Sequence, residues 1–379
     1  MQIYHPRTPI EHRALRHGTP VRTNYGWTPV EHIQVGSHIL TPEGAYCTAI
    51  NVYPQGERPL IRITFADDRY IDCDEQHLWE VHSYNFFKKR KYKKQMTAKV
   101  ISALELYETI ANKGTYSKKH YKNYYIPLVY PEELDASYLP IPPYTLGCIL
   151  GSLGNRNIVK IYALEKSVLQ RVKEDIGPEY HVEIRSYNVC NTGVITPLDS
   201  YTTRTPSYTK LLRDMRLLNI APKDIFIPSY YINGSIEQRI ELLKGVMDTC
   251  GYTNKFGTFK LYHVSEQLIR DMATIIYSLG GIAYRKENQI RYRLLEERMV
   301  SERCTCLNIR LRDPSIIMTR YIRGTENIED FEPNDKLKLL IKEVEKIEPD
   351  QATCIEVDHP EQLYVIKDYI VTHNTKVVK

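Results

Sequence analysis

Eight cysteines are scattered through this 379-residue sequence with no Cys-x-x-Cys pair; Cys304 and Cys306 are the only close spacing. That pattern supports neither a zinc framework nor a disulfide framework, so each thiol is weighed alone. A lone cysteine most often packs as a small apolar side chain. Its other use is nucleophilic, because a thiolate is far more reactive at neutral pH than a hydroxyl. Cys354 stands in an alternating run, Cys354-Ile355-Glu356-Val357, upstream of His373-Asn374-Thr375. An imidazole with its ordinary pKa of ~6.5 can donate or accept a proton, and His77, within Glu75-Gln76-His77-Leu78-Trp79, is the candidate for that work. Attraction for phosphate is a third chemistry on offer. Lys88, Lys89, Arg90, Lys91, Lys93 and Lys94 surround Tyr92, and Lys118 and Lys119 lie between Tyr116 and Tyr121. Such side chains release counterions from DNA, and the rings can stack on bases, although a charge run is by default a solvated surface.

Two kinds of element must carry these groups. From Val21 to about Val81 the chain reads as short strands: Asn24-Tyr25-Gly26 is a turn, and Ile61, Ile63 and Phe65 alternate with polar residues. The stretch from Cys354 to Asn374 has the same character around a Lys367-Asp368 turn. Between about Pro142 and Arg323 the pattern becomes helical, and Tyr144–Ser152 and Ile240–Gly251 look like copies of one another. Gly147 and Gly151 in one, Gly245 and Thr249 in the other, set small side chains four apart on one helix face, where two helices can approach closely. Each is followed by a strand-like run. A β-rich domain interrupted by an inserted α/β domain is therefore expected. Hydrophobic content of 42%, charged content of 26% and a net charge of +5 suit a soluble globular chain. No apolar run approaches the ~18 residues of a membrane span, and the N-terminus has no signal-peptide core. The expected location is the cytoplasm of a bacterial or phage-infected cell, with no membrane partner.

Four blocks in order resemble those of inteins, the elements that excise themselves from a host polypeptide. Val21–Gly36 resembles the first block; Glu75–Trp79 resembles the block with the histidine that activates the N-terminal scissile bond; Cys354–Val357 sits where the penultimate block usually has an aspartate; Val371–Thr375 resembles the C-terminal junction. An ordinary intein begins with Cys or Ser, whereas the matching residue here is Ala14. Class 3 inteins lack that first nucleophile and share a Trp, a Cys and a Thr, matched here by Trp79, Cys354 and Thr372. An ordinary intein with an engineered first alanine would not account for Cys354. Asp74 is a departure, since the family usually places Thr three residues before the histidine.

The resemblance implies a multi-domain chain: an all-β, horseshoe-like Hint splicing domain split by an α/β LAGLIDADG endonuclease-like insert. The expected segments are an N-extein (1–13), Hint parts at 14–90 and 340–374, a basic Lys/Tyr-rich linker or DNA-recognition segment (91–135), the insert (136–335) and a C-extein (375–379). Cys354 would open the Arg13–Ala14 bond with His77 assisting and Trp79 and Thr372 positioning. The acyl group would pass to Thr375, and Asn374 would cyclise with the help of His373. No cofactor or metal serves splicing; Mg2+ enters only if the insert cuts DNA. In LAGLIDADG enzymes each motif helix ends in an acidic metal ligand, but the matching positions are Ser152 and Cys250, so the endonuclease is expected to be degenerate. Asp248 aligns with a helix-packing position. The implied partners are the host polypeptide in cis and possibly double-stranded DNA, with no small-molecule substrate. Arg7–Arg13 read into Thr375–Val378 faintly resembles a phage-type helicase. Alternative functions are a site-specific homing endonuclease, a DNA-binding module without cleavage, or hedgehog-type autoprocessing, which would not need His373-Asn374-Thr375.

Overall fold

The structure, a computed structural model, describes residues 13–85, 95–111, 123–152, 159–187, 190–198, 206–253, 258–295, 298–317, 334 and 336–373. The chain begins with β1 (Leu15–Arg16), β2 (Pro20–Thr23), β3 (Gly26–Pro29), β4 (His38–Leu40), β5 (Tyr46–Phe65), β6 (Tyr70–Asp74), β7 (Leu78–Asn85) and β8 (Gln95–Ser102). Helix α1 (Ala103–Ala111) and β9 (Tyr124–Ile126) follow. The interrupting segment contains α2 (Pro143–Gly151), β10 (Lys160–Ala163), α3 (Lys166–Asp175), β11 (Tyr180–Ser186), β12 (Asn191–Pro197), α4 (Tyr208–Asp214) and α5 (Ser229–Ile232). It continues with α6 (Ile236–Cys250), β13 (Gly251–Thr253), β14 (Phe259–His263), α7 (Glu266–Ser278), β15 (Ile282–Leu295) and β16 (Arg298–Arg310). The chain returns to strand with β17 (Leu339–Val357), β18 (Leu363–Ile366) and β19 (Ile370–His373).

Two compact units result: residues 1–132 with 336–379, and residues 133–335. In the first, twelve strands join in the order β19-β18-β2-β4-β5-β6-β1-β17-β9-β7-β8, with β3 on β2. The alternation along β5 is that of a half-buried strand: Leu60, Ile61, Ile63 and Phe65 are buried. β5 and β17 form a long antiparallel ladder from Ile341↔Phe65 to Val357↔Ala49. The short β1 lies between β6 and β17, pairing Leu15 with Cys73 and with Thr353. Several hairpins of consecutive strands are kept side by side, while β1 is inserted between β6 and the late strand β17, so the first described strand lies against the returning segment.

The stretch expected to be a basic linker is largely part of this β unit. Strand β8 pairs with β7 from Leu78↔Ser102 to Asn85↔Gln95, and α1 buries Ala103, Leu106 and Ile110. β9 pairs Ile126 with Leu339. Apolar residues in 95–111 and 123–132 therefore hold those stretches in the fold, while the charged runs beside them dominate the composition. Glu132, fully buried, accepts from Arg22 Nε and Nη2 at 2.8 and 3.1 Å, from the Tyr369 hydroxyl at 2.6 Å and from the Tyr46 hydroxyl at 3.2 Å. Glu132→Ala would strand the buried Arg22 guanidinium and is expected to cost about 3–5 kcal/mol of stability, read as a fall in the urea midpoint of this unit's unfolding.

In the second unit α2 and α6 pack directly on one another. A side chain at Gly147 would run into the Leu242 carbonyl, one at Gly245 into the Tyr144 carbonyl, and one at Gly151 into the Thr249 hydroxyl. Small residues at these spacings are what allows the backbones to approach so closely. α2 leads into the β10-β12-β11 sheet and α6 into the β13-β14-β16-β15 sheet. α3 packs against the former and α7 against the latter, giving two related halves.

Candidate functional site

The β1–β17 register sets the first part of the site. Leu15 lies opposite Thr353 and Arg16 opposite Ala352, so the next step of the same antiparallel register brings Ala14 to Cys354. Ala14, Ala352 and Cys354 form one buried cluster, with Tyr53 packed against it. Cys354 is 1% exposed and unbridged, and Tyr53 is its cross-strand partner on β5. A thiol therefore sits beside the residue that follows the Arg13 carbonyl.

His77 approaches that carbonyl directly. Its Nδ1 lies 3.1 Å from Arg13 O, and its Nε2 lies 2.6 Å from the Thr372 hydroxyl. A carbonyl oxygen only accepts, so Nδ1 carries the hydrogen and the neutral ring accepts from Thr372 at Nε2. Burial pushes the imidazole down to about 4, aided by the nearby His373 and only partly opposed by the Arg13 carbonyl. His77 is thus a neutral donor aimed at Arg13 O, its tautomer fixed by Thr372. Trp79, two residues on, is fully buried; its ring meets His77 edge-on at 5.5 Å and Phe65 at 6.1 Å. It fills the space behind the imidazole and limits the positions the ring can take.

The adjacent junction strand reaches the same place. β18 pairs with β19 through Tyr364↔Thr372 and Leu363↔His373. The turn into β19 holds Asp368 and Tyr369 at φ 56° and 60°, a left-handed backbone that non-glycine residues seldom adopt, with Arg69 Nη1 donating to Asp368 O. His373 is 9% exposed. Arg13, Ala14, His77, Trp79, Cys354, Thr372 and His373 are therefore brought to one region. Asn374 and Thr375 lie outside the described residues, as do Lys88, Lys89, Arg90, Lys91, Lys93, Lys94, Lys118 and Lys119.

Two contributors were not identified from the sequence. The Asp74 N–H donates to Ala14 O at 2.8 Å and the Asp74 carbonyl accepts from His77 N at 3.0 Å, so one residue holds both the junction strand and its histidine. His17 Nε2 is 2.9 Å from the Thr353 hydroxyl. The departure at Asp74 was visible, but its pairing with Ala14 depends on a register that the sequence does not announce.

In the second unit, Ser152 and Cys250 stand at the ends of α2 and α6 and are almost wholly buried. The Ser152 hydroxyl donates to Cys148 O, and the Cys250 thiol to Val246 O at 3.3 Å, each turned back on its own helix. Asp248 accepts from the Tyr144 hydroxyl at 2.8 Å across the helix pair. Neither Ser152 nor Cys250 is a hard anionic oxygen ligand, so this pair does not suit a magnesium ion. Among the described residues no three His, Cys, Asp or Glu side chains gather as a metal site, and no helix is long and apolar enough to cross a membrane.

No family model matches the chain. Among curated proteins it is similar to the replicative DNA helicase DnaB of Mycobacterium intracellulare, at 24% identity over 380 residues. That alignment takes in 96% of this chain and 58% of the relative, so the chain spans less than two thirds of that protein's length. Among solved structures, the MchDnaB-1 intein is 29% identical and covers 18% of this chain and 53% of its own, with a TM-score of 0.18. A mesophilic variant of the homing endonuclease I-DmoI is 16% identical, covering 47% and 86%, with a TM-score of 0.29.

Proposed function

We propose that this chain, an intein carrying a homing-endonuclease-like insert, splices from Cys354 rather than from its own first residue. The observation that carries this reading is the β1–β17 register: it packs the thiol against Ala14 while His77 Nδ1 reaches the Arg13 carbonyl. The Cys354 sulfur would add to the Arg13 carbonyl carbon. His77 would donate a hydrogen bond to the oxygen as it gains negative charge, the kind of contact that strengthens in the transition state. The Arg13–Ala14 C–N bond would break, the proton lost by the thiol passing to the departing Ala14 amine. The result is a thioester between Arg13 and Cys354.

The Thr375 hydroxyl would then attack that thioester, returning the thiol to Cys354 and leaving the N-terminal flank as an ester on Thr375. The Asn374 side-chain nitrogen would attack its own main-chain carbonyl, breaking the Asn374–Thr375 bond and freeing the Thr375 amine. That amine attacks the ester to form the new peptide bond. His373, which precedes Asn374, would assist the cyclisation. Incubating purified precursor and weighing the products tests the reading: the free segment 14–374 and a joined Arg13–Thr375 product are expected. Recovery of only unjoined fragments, or of intact precursor, would reject it.

For the insert we propose an endonuclease that has lost catalysis. Removing both carboxylates of a metal-dependent phosphodiesterase removes the anionic ligands on which the metal depends. In magnesium buffer, no cutting is expected of a DNA that carries the joined flank sequence, while salt-sensitive binding to it would be consistent with the basic runs. Double-strand breaks at that site would contradict the proposal.

A further inference from the structure

The carboxylate of Asp74 is fully buried, and its position is set by two contacts. Oδ1 accepts from Gln76 N at 2.7 Å, closing the turn that leads to His77, and Oδ2 accepts from Arg58 Nε at 2.8 Å. The turn contact alone needs no charge, since an asparagine or threonine oxygen caps such a turn. An ion pair with one partner fully buried and the other partly so is costly to assemble and is weak support for stability by itself. What the pair does instead follows from where Arg58 stands. It lies on β5 opposite Asp350 of β17, and the same ladder pairs Tyr53 of β5 with Cys354. Asp74, at the end of β6, holds Ala14 O and His77 N through its main chain. The ion pair thus bolts the strand-and-turn that carries the scissile carbonyl and its histidine to the ladder that carries the thiol. A nucleophile supplied by residue 14 itself would need no such bolt, because it would travel with the scissile bond.

We infer that Arg58 and Asp74 are a positioning pair that fixes the Cys354 ladder against the Arg13–Ala14 junction. This rests on the splicing reading above. It is tested by a double-substitution cycle with Arg58→Gln and Asp74→Asn in a precursor carrying Thr375→Ala and Asn374→Ala, in which only the first acyl transfer is possible. The readout is release of the N-terminal flank by a thiol reagent. Asn374-dependent cleavage, measured with Asn374 restored, and thermal melting are followed in parallel. Each single substitution leaves one charge without its partner, Asp74 fully buried or Arg58 partly buried, and is expected to slow flank release on the order of ten- to a hundredfold, the cost of a misplaced reacting group. The double substitution, a neutral pair with an amide nitrogen where Arg58 Nε donates, should recover much of that loss, while C-terminal cleavage stays unchanged throughout. Equal losses at both junctions that track melting would show a merely structural pair and overturn the inference, as would single variants that release the flank at the parent rate. If instead Cys354→Ala still releases the flank to thiol, it is the splicing reading that fails, and the two results cannot be confused.

Discussion

Cys354→Ala is expected to abolish opening of the N-terminal junction and all ligation, by on the order of 10⁴-fold or more, as when other dedicated nucleophiles are removed. Ala14 has no group that can attack, and the side chains that share its buried cluster are Ala352, Cys354 and Tyr53, of which the thiol is the competent nucleophile near neutrality. The variant should lose little packing, because alanine is already accepted on both sides of the position. Cleavage at Asn374 should continue, since that step uses the amide of its own side chain. Gel and mass analysis of the variant precursor would therefore show the C-terminal fragment without a joined product. Splicing at the parent rate would remove Cys354 from the mechanism and turn attention to Ala14→Cys as a test of an ordinary first-residue nucleophile.

His77→Ala should be the next most severe change at the same junction and should spare the other. Losing the donor at 3.1 Å from Arg13 O removes a contact of the oxyanion type, worth on the order of 10²- to 10³-fold. Its pH behaviour follows from burial. With the folded pKa pushed down to about 4, the ring is neutral at pH 7 and keeps its Nδ1 hydrogen on the carbonyl. The fold favours the neutral form, so His77 contributes stability that is fully present above the unfolded value of ~6.5. That stability is lost as pH falls through the folded pKa, reaching about 3 kcal/mol well below it. Urea melts of the spliceless Cys354→Ala precursor between pH 7 and 4 would show the loss, and His77→Ala should flatten that part of the profile. Thr372→Val, which removes the hydroxyl that donates to Nε2 at 2.6 Å, should slow the N-terminal step less than His77→Ala and leave the pH profile in place.

The sequence carried the division into a β unit and an α/β insert because both signals are local. Gly147, Gly151 and Gly245 mark a close helix pair by spacing alone, and the alternation at Ile61, Ile63 and Phe65 marks a strand. The residues gathered at the junction were legible for another reason: His77, Trp79, Cys354 and Thr372 occur in blocks whose order resembles that of inteins. What was hidden is non-local. That Ala14 faces Cys354 depends on the β1–β17 register, which leaves no mark in neighbouring residues, and that Asp74 meets Arg58 depends on the register of the β5–β6 hairpin and the side-chain reach across it. Residues 91–135 were read as a basic linker or DNA-recognition segment because lysine and tyrosine dominate the composition and mask buried positions such as Ile101, Leu106, Ile110, Ile126 and Leu128, which bind the segment into the β unit. Glu132 was missed for a related reason, since one of two adjacent glutamates after a proline looks solvated until Arg22, Tyr46 and Tyr369 are seen around it.

If Cys354 opens the junction, a covalent bond forms between the Arg13 carbonyl carbon and the Cys354 sulfur. A precursor with Asn374→Ala and Thr375→Ala can neither cyclise nor pass the acyl group onward, so this bond should accumulate. Digestion at low pH followed by mass spectrometry should give the peptide containing Cys354 with a chain ending at Arg13 attached, and mild hydroxylamine should remove that chain. Finding the peptide unmodified while the Arg13–Ala14 bond has been cut, or finding the bond cut equally well with Cys354→Ala, would rule out Cys354 as the first nucleophile.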